Sequence, residues 1–266
     1  MGDTGQVTSN AAEIYDEILP AALFDQWTPR VLERAGVASG MRVLDVACGT
    51  GVLAIGAADA VKPNGSVVGL DLNPGMLAVA NQKAPHIDWR EGPAEALAFD
   101  EASFDAVVSQ FGLMFFQDKP LAIREIVRVL RPGGRFAIAV WDTLDRVPGY
   151  AALTNLLGRL FGDEAAESLR APYSLGDTKA IASLFSAAGV ADVQITTLDG
   201  IARYPSIRDW MHIDIRGWTL ADAIDDAQFE RLVSEAEKEL AQFITGSGAV
   251  EFSSPAHIAT ATKAAR

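Results

Sequence analysis

Short apolar segments alternate with segments of helical periodicity between residues 41 and 141, and this alternation constrains the fold more than any other feature. Strands that are separated by helices pair in parallel, through right-handed crossovers. We therefore predict a doubly wound, Rossmann-like α/β fold built on a mostly parallel sheet. Its first five strands are expected at 41–47, 66–71, 87–91, 104–110 and 135–141.

The C-terminal half adds two predicted strands, at 190–198 and 257–263, which bring the sheet to seven strands. The last of them is expected to return antiparallel to its neighbours. Helical patterns also precede the first strand, where Pro20 is a predicted break. The expected organisation is an N-terminal helical lid segment at 1–36, a ligand-binding core at 37–204 and 254–266, and a helical insertion at 205–253.

The first predicted strand runs directly into a turn of small residues, from Ala47 to Gly51, that opens a helix. Gly49 and Gly51 carry no side chain, so backbone N–H groups can approach a ligand at the helix N-terminus. In open α/β sheets, ligands bind beyond the carboxyl ends of the strands. This turn is therefore predicted to be the centre of a site for a small polar ligand.

Residues at further strand ends are predicted to complete that site. Asp71 ends the second strand, where a carboxylate can accept hydrogen bonds from both hydroxyls of a ribose. Leu72 and Met76 follow it and are expected to flank a flat base, while Gly92 and Ala94 offer backbone to the edge of that base. A ligand with a nucleoside part is therefore favoured.

The charge and the composition exclude several classes of protein. The 266-residue chain has a formal net charge of −13 and no run of Lys or Arg, which argues against a nucleic-acid partner. No apolar stretch reaches the roughly 18 residues that span a bilayer, and residues 1–9, a predicted disordered lead-in, lack the features of a signal peptide. Cys48 is the only cysteine, which excludes an intramolecular disulfide and a cysteine-rich zinc site. We expect a cytoplasmic protein without a metal centre and without contact to a membrane.

A dinucleotide-binding site is the main alternative, because residues 49–54 fit the pattern G-x-G-x-x-A. Asp45 argues against it, since a carboxylate in the first strand would repel a pyrophosphate nearby. None of the four tyrosines is followed by a lysine four residues later, so the Tyr-x-x-x-Lys pair is absent as well. Asp45 is better suited to a ligand with a cationic or amino-acid end. A nicotinamide-dependent oxidoreductase remains the alternative function.

Five motifs resemble, in the same order, those of class I S-adenosylmethionine-dependent methyltransferases. They are V-L-D-V-A-C-G-T-G at 43–51, the acid at 71, E-G-P-A-E-A-L-A-F at 91–99, F-D-A-V-V-S-Q at 104–110 and L-R-P-G-G at 130–134. The likeness is strongest to the small-molecule methyltransferases of ubiquinone and menaquinone biosynthesis. It covers the sheet core and implies S-adenosylmethionine as the methyl donor.

The resemblance implies roles for individual residues. Asp45 steadies the loop or the ammonium group of the donor, Asp71 holds the ribose hydroxyls, and Gln110 reaches the methionine end. Pro93 departs from the family pattern, which often has an acid there to accept from the adenine amino group, and Glu95 is the candidate substitute. The candidate donor-binding residues are Asp45, Ala47, Gly49, Thr50, Gly51, Asp71, Leu72, Met76, Gly92, Ala94, Glu95, Gln110 and Phe111.

The methyl acceptor is predicted from the aromatic residues around the expected site. No Asn/Asp-Pro-Pro-Tyr run follows the fourth strand, which argues against an enzyme that methylates the amino groups of nucleic acids. Aromatic side chains instead occupy that segment and the insertion, at Phe111, Phe115, Phe116, Trp210 and Trp218. We expect a small, apolar or aromatic acceptor molecule. The alternative is a non-catalytic protein that only binds the donor.

Two residues are candidates for a catalytic role. His212 lies in the insertion that is expected to cover the acceptor pocket. Tyr15 lies in the N-terminal segment, which is either a lid over the ligand or part of the core. A base is needed only if the acceptor is a poor nucleophile, because the sulfonium already carries an excellent leaving group. A satisfied interface histidine is the alternative interpretation of His212.

Overall fold

The computed structural model describes residues 9–217, 220 and 223–265, with side chains from residue 12 onward. The strands are β1 (Arg42–Val46), β2 (Ser66–Asp71), β3 (Asp88–Glu91), β4 (Phe104–Gln110), β5 (Leu130–Trp141), β6 (Gln194–Leu198), β7 (Ile201–Tyr204), β8 (Val250–Ser253) and β9 (Ala256–Thr262). Seven of them form the central sheet in the order β3-β2-β1-β4-β5-β9-β6, and β7 pairs with β8.

The helices of the described part of the chain surround this sheet. They are α1 (Ser9–Leu19), α2 (Thr28–Ala35), α3 (Val52–Ala60), α4 (Pro74–Lys83), α5 (Lys119–Val129), α6 (Pro148–Phe161), α7 (Asp163–Arg170), α8 (Thr178–Ala187), α9 (Ile207–Arg216) and α10 (Asp226–Glu239). One π-helical turn spans Pro20–Phe24, and short 3-10 turns lie at Leu113–Phe115, Leu144–Arg146, Ala171–Tyr173 and Ala241–Phe243. None of these helices is both long and apolar enough to cross a membrane.

The central sheet confirms the predicted fold class. β1 to β5 pair in parallel, and β9 lies antiparallel between β5 and β6. β1 and β4 are almost wholly buried, as expected for central strands that are covered by helices on both faces. The strand order reverses between β1 and β4, so the crevice of this open sheet lies at their carboxyl ends.

Local sequence explains where the helices beside this crevice begin. The Asn73 side chain accepts hydrogen bonds from the N–H groups of Gly75 and Met76. Pro74 takes the first helical position, where a backbone N–H would have no partner within the helix. Asp118 caps α5 in the same way. These caps fix the direction in which the chain leaves the edge of the crevice.

Pro20 does not break the N-terminal helix, contrary to the prediction. α1 passes directly into the π-helical turn, of which Pro20 is the first residue. Proline lacks an N–H, and the first position of a helical segment does not require one. The turn brings the carbonyl of Phe24 to Gln110, whose Nε2 donates to it at 3.2 Å. The N-terminal segment is thereby tied to the end of β4.

The small sheet of β7 and β8 was not predicted. Its strands pair antiparallel, from Ile201 opposite Ser253 to Tyr204 opposite Val250. They flank α9 and α10, so the predicted boundary at residue 204 separates two hydrogen-bonded strands. Trp218 and residues 1–8 of the predicted lead-in lie outside the described part of the chain, and Ser9 opens α1.

The ring of Trp89 covers two glycines beside the crevice. A Cβ atom on Gly69 would lie 2.3 Å from this ring, and one on Gly51 would lie 2.6 Å from it. Nε1 of Trp89 donates to the carbonyl of Ala84 at 2.9 Å, which holds the ring in place. The glycines therefore make room for an indole that packs on the sheet.

We expect Gly69→Ala to lower the free energy of unfolding by about 1–3 kcal/mol, as added methyl groups do in a packed core. Unfolding in urea measures the change. Gly246→Ala is the matched control, because a Cβ atom there would have no neighbour within 4 Å. If Gly69→Ala were as stable as this control, the Trp89 ring would have to move aside without cost.

Candidate active site

A cleft, here named the outer cleft, opens at the carboxyl ends of β1, β2 and β4. It brings together the turn after β1, the end of β2 and the segments that follow β3 and β4. Its lining residues are Tyr15, Ala47, Gly49, Leu70, Asp71, Leu72, Asn73, Met76, Gly92, Pro93, Ala94, Glu95, Gln110, Phe111, Gly112, Phe115, Phe116 and Gln117.

A smaller recess, the loop pocket, continues from the outer cleft around the turn after β1. It is lined by Tyr15, Phe24, Asp45, Ala47, Cys48, Gly49, Thr50, Val52, Leu53 and Gln110. Every candidate donor-binding residue except Gly51 lines the outer cleft or the loop pocket. Gly51 lines neither, and its missing side chain leaves room for the Trp89 ring.

Two residues of the outer cleft hold a backbone conformation that residues other than glycine rarely adopt. Ala47 has a φ of +58° and Phe111 a φ of +60°. Such strain persists only where surrounding contacts impose it, and it is concentrated at ligand sites. The ring of Phe111 is held by Trp141, on which it stacks with 3.6 Å between the ring centroids.

Asp71 ties the turn after β1 to the start of α4. Its Oδ2 accepts from the N–H of Gly49 and its Oδ1 from the N–H of Asn73, both at 2.8 Å. Burial raises the pKa of this carboxyl, and backbone hydrogen bonds from Asn73, Gly49 and Leu72 oppose the rise. Leu72, the next residue, is 52% exposed and offers an apolar surface beside the carboxylate. This combination fits the sugar and the base of a nucleoside.

Two buried oxygens that belong to residues of the loop pocket have no donor among the described residues. They are Oδ2 of Asp45 and Oε1 of Gln110. Burial and the carboxylate of Asp71 raise the pKa of Asp45. Buried acceptors without partners are costly, and these two belong to residues that line one recess, so the recess suits a ligand that donates hydrogen bonds. A primary ammonium group has three donors, and its positive charge would favour the ionised form of Asp45.

Glu95 is held by a contact with the protein itself. Its Oε1 accepts from the backbone N–H groups of Gln117 at 2.7 Å and Asp118 at 3.2 Å. This contact fixes the segment before α5 and competes with a hydrogen bond to an adenine amino group. Pro93 and Ala94 form the neighbouring part of the cleft wall.

A second cavity, the inner cleft, adjoins the outer cleft. Tyr15, Phe111 and Phe115 line both. With the exception of Asp214, the described residues of the inner cleft are apolar or aromatic. They are Tyr15, Leu19, Leu23, Phe24, Phe111, Phe115, Trp141, Tyr150, Leu169, Pro172, Tyr173 and Asp214.

Asp214 is a buried carboxylate that sequence reasoning missed. Tyr150 Oη donates to its Oδ1 at 3.1 Å, and Trp210 Nε1 donates to its Oδ2 at 2.6 Å. The hydroxyl of Tyr150 also lies 2.6 Å from that of Tyr204. Burial raises the pKa of Asp214 to about 7, although the two hydrogen bonds oppose the rise. Both protonation states are therefore populated near neutral pH.

The structure does not bring His212 to the site, although it lies only two residues before Asp214. Its side chain lines none of the three cavities. The ring packs edge-on against Phe229 of α10, with 6.3 Å between centroids. Two residues apart on a helix are rotated by about 200°, so the two side chains leave α9 in nearly opposite directions.

A signal for Asp214 was present in the spacing of apolar residues along α9. Ile207, Trp210, Met211 and Asp214 stand at i, i+3, i+4 and i+7, which places them on one face of the helix. All four are buried. A carboxylate on an otherwise apolar face indicates either a buried partner or a ligand.

Tyr15 lines the outer cleft, the inner cleft and the loop pocket. Its ring stacks on Phe24 with 5.6 Å between centroids. Burial and the carboxylates of Asp71 and Asp16 raise the pKa of its phenol. The hydroxyl therefore stays protonated at neutral pH and can donate a hydrogen bond.

The comparison with protein families decides what kind of enzyme this site belongs to. The model of the ubiE/COQ5 methyltransferase family matches residues 5–202. The chain belongs to this family. It is an S-adenosylmethionine-dependent methyltransferase, and S-adenosylmethionine is its cofactor.

Similar proteins agree with this assignment. Demethylmenaquinone methyltransferase of Staphylococcus carnosus (strain TM300) is 31% identical over 212 residues, which cover 73% of this chain and 88% of the relative. The YcgJ protein of Bacillus subtilis has a similar fold, with a TM-score of 0.60 and 18% identity over 90% of this chain and 98% of that one. Phosphoethanolamine N-methyltransferase 2 of Haemonchus contortus, solved with S-adenosyl-L-methionine, has a TM-score of 0.62 and 21% identity over 97% of this chain and 57% of that one. These matches give no support to a nicotinamide-dependent oxidoreductase.

Proposed function

We propose that this methyltransferase moves the methyl group to a flat, largely apolar aromatic molecule of the quinol type that binds in the inner cleft. The observation that carries the proposal is the aromatic lining of this cleft directly beside the outer cleft. Phe24 and Phe111 lie 5.8 Å apart between ring centroids, and Phe111 stacks on Trp141. Walls of this kind bind flat rings by stacking and by burial of apolar surface.

The same proposal places the donor along the outer cleft, with its amino-acid end in the loop pocket. Asp71 takes the ribose hydroxyls, Leu72 and Met76 pack on the adenine, and Asp45 with Gln110 accepts from the ammonium group. When bound, the donor supplies an electrophilic methyl group on its sulfonium. The walls around it are Ala47, Gly49, Thr50, Gly92, Ala94 and Phe111.

The chain's own contribution to such a transfer is to hold the two ligands side by side and to keep water out. Tyr15, Phe111 and Phe115 are suited to both tasks, because they line both clefts. We propose that the N-terminal segment, residues 1–36, is a lid, since α1 packs against both α4 and α9. The insertion, residues 205–253, would cover the acceptor from the other side through Asp214.

A relative supports a quinol-like acceptor without identifying it. The Staphylococcus carnosus protein named above is a demethylmenaquinone methyltransferase. However, α9, which carries Asp214, follows the residues 5–202 that the family model matches. Part of the inner cleft is therefore built from a segment outside the family match. For this reason we propose a class of acceptors, not one molecule.

Transfer of a labelled methyl group from S-adenosylmethionine to a panel of probes tests the proposal. The panel contains dihydroxynaphthalene, naphthol, phosphoethanolamine, bulk transfer RNA and a mixture of unmodified proteins. We expect label only in the aromatic small molecules. Label confined to phosphoethanolamine, RNA or protein would contradict the proposal.

A variant that fills the inner cleft locates the acceptor. Leu169→Trp is expected to raise KM for the aromatic probe by about tenfold or more, equivalent to at least about 1.4 kcal/mol of lost binding. Its affinity for S-adenosylmethionine should not change, because Leu169 does not line the outer cleft or the loop pocket. Leu121→Trp, at an exposed position of α5, is the matched control. An unchanged KM in Leu169→Trp would place the acceptor elsewhere.

We expect His212→Ala to retain kcat/KM within about threefold of the wild-type value, as substitutions away from a reacting centre usually do. The physical reason is that His212 contacts Phe229 and lines none of the three cavities. Steady-state kinetics with the aromatic probe measures the change, and His86→Ala, in an exposed turn, is the control. A loss of about 100-fold or more, typical of a missing general base, would return His212 to the site.

A further inference from the structure

One side chain of the inner cleft is not explained by the binding of an apolar ring. Asp214 is 6% exposed and lines a cleft whose other described residues are apolar or aromatic. The protein supplies one donor to each of its oxygens, from Tyr150 and Trp210. An ionised carboxylate has about four acceptor positions. Asp214 therefore has capacity for a further donor within the cleft.

A structural role does not by itself call for a carboxylate at this place. Buried ionic groups can often be replaced by apolar residues with no loss of stability. A carboxyl group whose pKa is shifted by burial inside a cleft is, by contrast, a common property of functional sites. A ligand group that donates a hydrogen bond to Asp214 would account for the carboxylate.

We infer that Asp214 binds a hydroxyl group of the acceptor and takes its proton during methyl transfer, so that the acceptors are phenols, naphthols or quinols. This inference rests on the proposed function, because it requires the acceptor to lie in the inner cleft. Asp214 is then a catalytic residue, and Tyr150 and Trp210 are positioning residues that hold its two oxygens.

The proton transfer balances in atoms and charge. The O–H bond of the acceptor breaks, its proton moves to Asp214, and its electron pair stays with the acceptor. That pair forms the new bond to the methyl carbon, while the bond from this carbon to the sulfonium sulfur breaks and leaves its pair on sulfur. If a ring carbon attacks instead, the pair on oxygen moves into the ring and a π pair of the ring forms the bond to the methyl carbon. That carbon afterwards loses its own proton while the oxygen regains one. Asp214 finally releases its proton to solvent.

The groups around Asp214 suit this task. Tyr150 and Tyr204 are buried phenols near it, and Tyr173 is a partly buried one. Loss of contact with water raises the pKa values of all three, so they remain neutral. A base works best when its pKa lies close to the pH at which the enzyme operates. The value of about 7 for Asp214 meets this condition.

No positive charge competes for Asp214 within the described lining of the inner cleft, which contains no Lys, Arg or His. α1 contributes Tyr15, whose phenol is also neutral. Acids of α10, which packs on α9, are engaged by surface arginines of α9, in the pairs Arg208–Glu230 and Arg216–Asp226. The proton affinity of Asp214 is therefore set by burial and by its two hydrogen bonds.

Turnover at several pH values tests the inference. Wild type, Asp214→Asn and Asp214→Glu are compared with naphthol as acceptor between pH 5 and pH 9, with Asp209→Asn as control, since Asp209 lies on the same helix and lines none of the cavities. We expect Asp214→Asn to lose about 10²–10⁴-fold in kcat, together with the acid limb of the pH profile. Asp214→Glu should recover part of both. Wild-type kcat and an unchanged pH profile in Asp214→Asn would overturn the inference.

A binding measurement keeps the inference testable without turnover. Quenching of tryptophan fluorescence is followed as naphthol, its methyl ether and naphthylamine are added to the complex with S-adenosylhomocysteine. We expect naphthol to bind about tenfold more tightly than the ether in the wild type and equally tightly in Asp214→Asn. Equal affinities in the wild type, or tightest binding of the amine, would overturn it.

The two failures are distinguishable. Naphthylamine is also added to the methylation panel. If it is the only probe that is methylated, the acceptor is still aromatic and the proposed function stands, but the role of Asp214 is wrong. If naphthol binds through Asp214 and no aromatic probe is methylated, the hydroxyl site stands and the proposed function fails.

Discussion

Asp45→Asn is expected to weaken the binding of S-adenosylmethionine by about 10- to 100-fold and, at the same time, to raise the thermal stability of the unliganded protein. The expected loss of affinity comes from the charge-assisted hydrogen bond that we propose between Asp45 and the ammonium group of the donor, which would be worth about 1.5–3 kcal/mol. Each 1.4 kcal/mol corresponds to about tenfold in affinity.

The gain in stability has a different cause. Asp45 is 1% exposed, its Oδ2 has no donor among the described residues, and burial with the nearby Asp71 raises its pKa. An ionised carboxylate in this place costs stability, whereas an amide of the same shape carries no charge. When a residue binds a ligand but destabilises the unliganded fold, its replacement lowers the affinity and raises the stability.

Isothermal titration calorimetry and thermal unfolding measure the two effects on the same samples. Asp192→Asn, at an exposed position, controls for the change of one formal charge. Unchanged affinity in Asp45→Asn would remove Asp45 from the donor site. A fall in both quantities would instead show that its carboxylate supports the fold.

The second large effect is on pH dependence, and we expect the unliganded protein to lose stability as the pH rises from about 5 to 8. Asp214 has a pKa of about 7 in the folded protein and a value of 3.8 without its surroundings. Between these two values the folded state binds more protons than the unfolded state, so the free energy of unfolding falls with rising pH. The protonated form of Asp214 contributes about 4 kcal/mol to the free energy of unfolding at low pH. This contribution is lost as the pH rises, and the loss levels off above the folded pKa.

Other acids change the size of this decline but not its direction. Burial also raises the pKa values of Asp45 and Asp71, which adds to the loss at higher pH. The hydrogen bond from Arg128 lowers the pKa of Glu125. Glu125 therefore stops stabilising the fold only when the pH falls through its folded pKa, which lies below the ordinary value for a glutamate. Mildly acidic conditions should therefore give the most stable unliganded protein.

Urea unfolding at pH 5, 6, 7 and 8 measures the slope. In Asp214→Asn the slope should be markedly smaller, whatever the absolute stability of the variant, while Asp192→Asn should follow the wild type. A stability that rises over this range, or a slope that Asp214→Asn leaves unchanged, would contradict the pKa of Asp214 on which the argument depends.

The central sheet was predictable because its information is local. The central strands β1, β2 and β4 are apolar segments bounded by turn residues, and the crossover helices α4 and α5 begin at the recognisable caps Asn73 and Asp118. The sheet of β7 and β8 was not predictable in this way. Its strands have four residues each, and their pairing joins segments that are separated by two helices. Pro20 led to a wrong prediction because the sequence does not show that a π-helical turn starts at this residue and continues the chain toward Gln110.

The candidate site likewise has one part that the sequence predicts and one part that it does not. Asp45, Asp71 and Gln110 lie at the carboxyl ends of β1, β2 and β4, so the order of strands along the chain was enough to bring them together. Asp214 belongs to a helix whose orientation depends on packing against other elements. Sequence reasoning named His212 in the same helix and passed over Asp214, because a histidine titrates near neutral pH without help and an aspartate does so only after burial.

The shared wall of Tyr15, Phe111 and Phe115 has a thermodynamic consequence. A donor and an acceptor that both contact these side chains do not bind independently, because each changes the freedom of a surface that the other needs. If one ligand changes the affinity of the other by some factor, the second ligand must change the affinity of the first by the same factor. If the donor orders these rings, acceptor molecules bind tightly only to protein that already holds it, and the two substrates then bind in a preferred order.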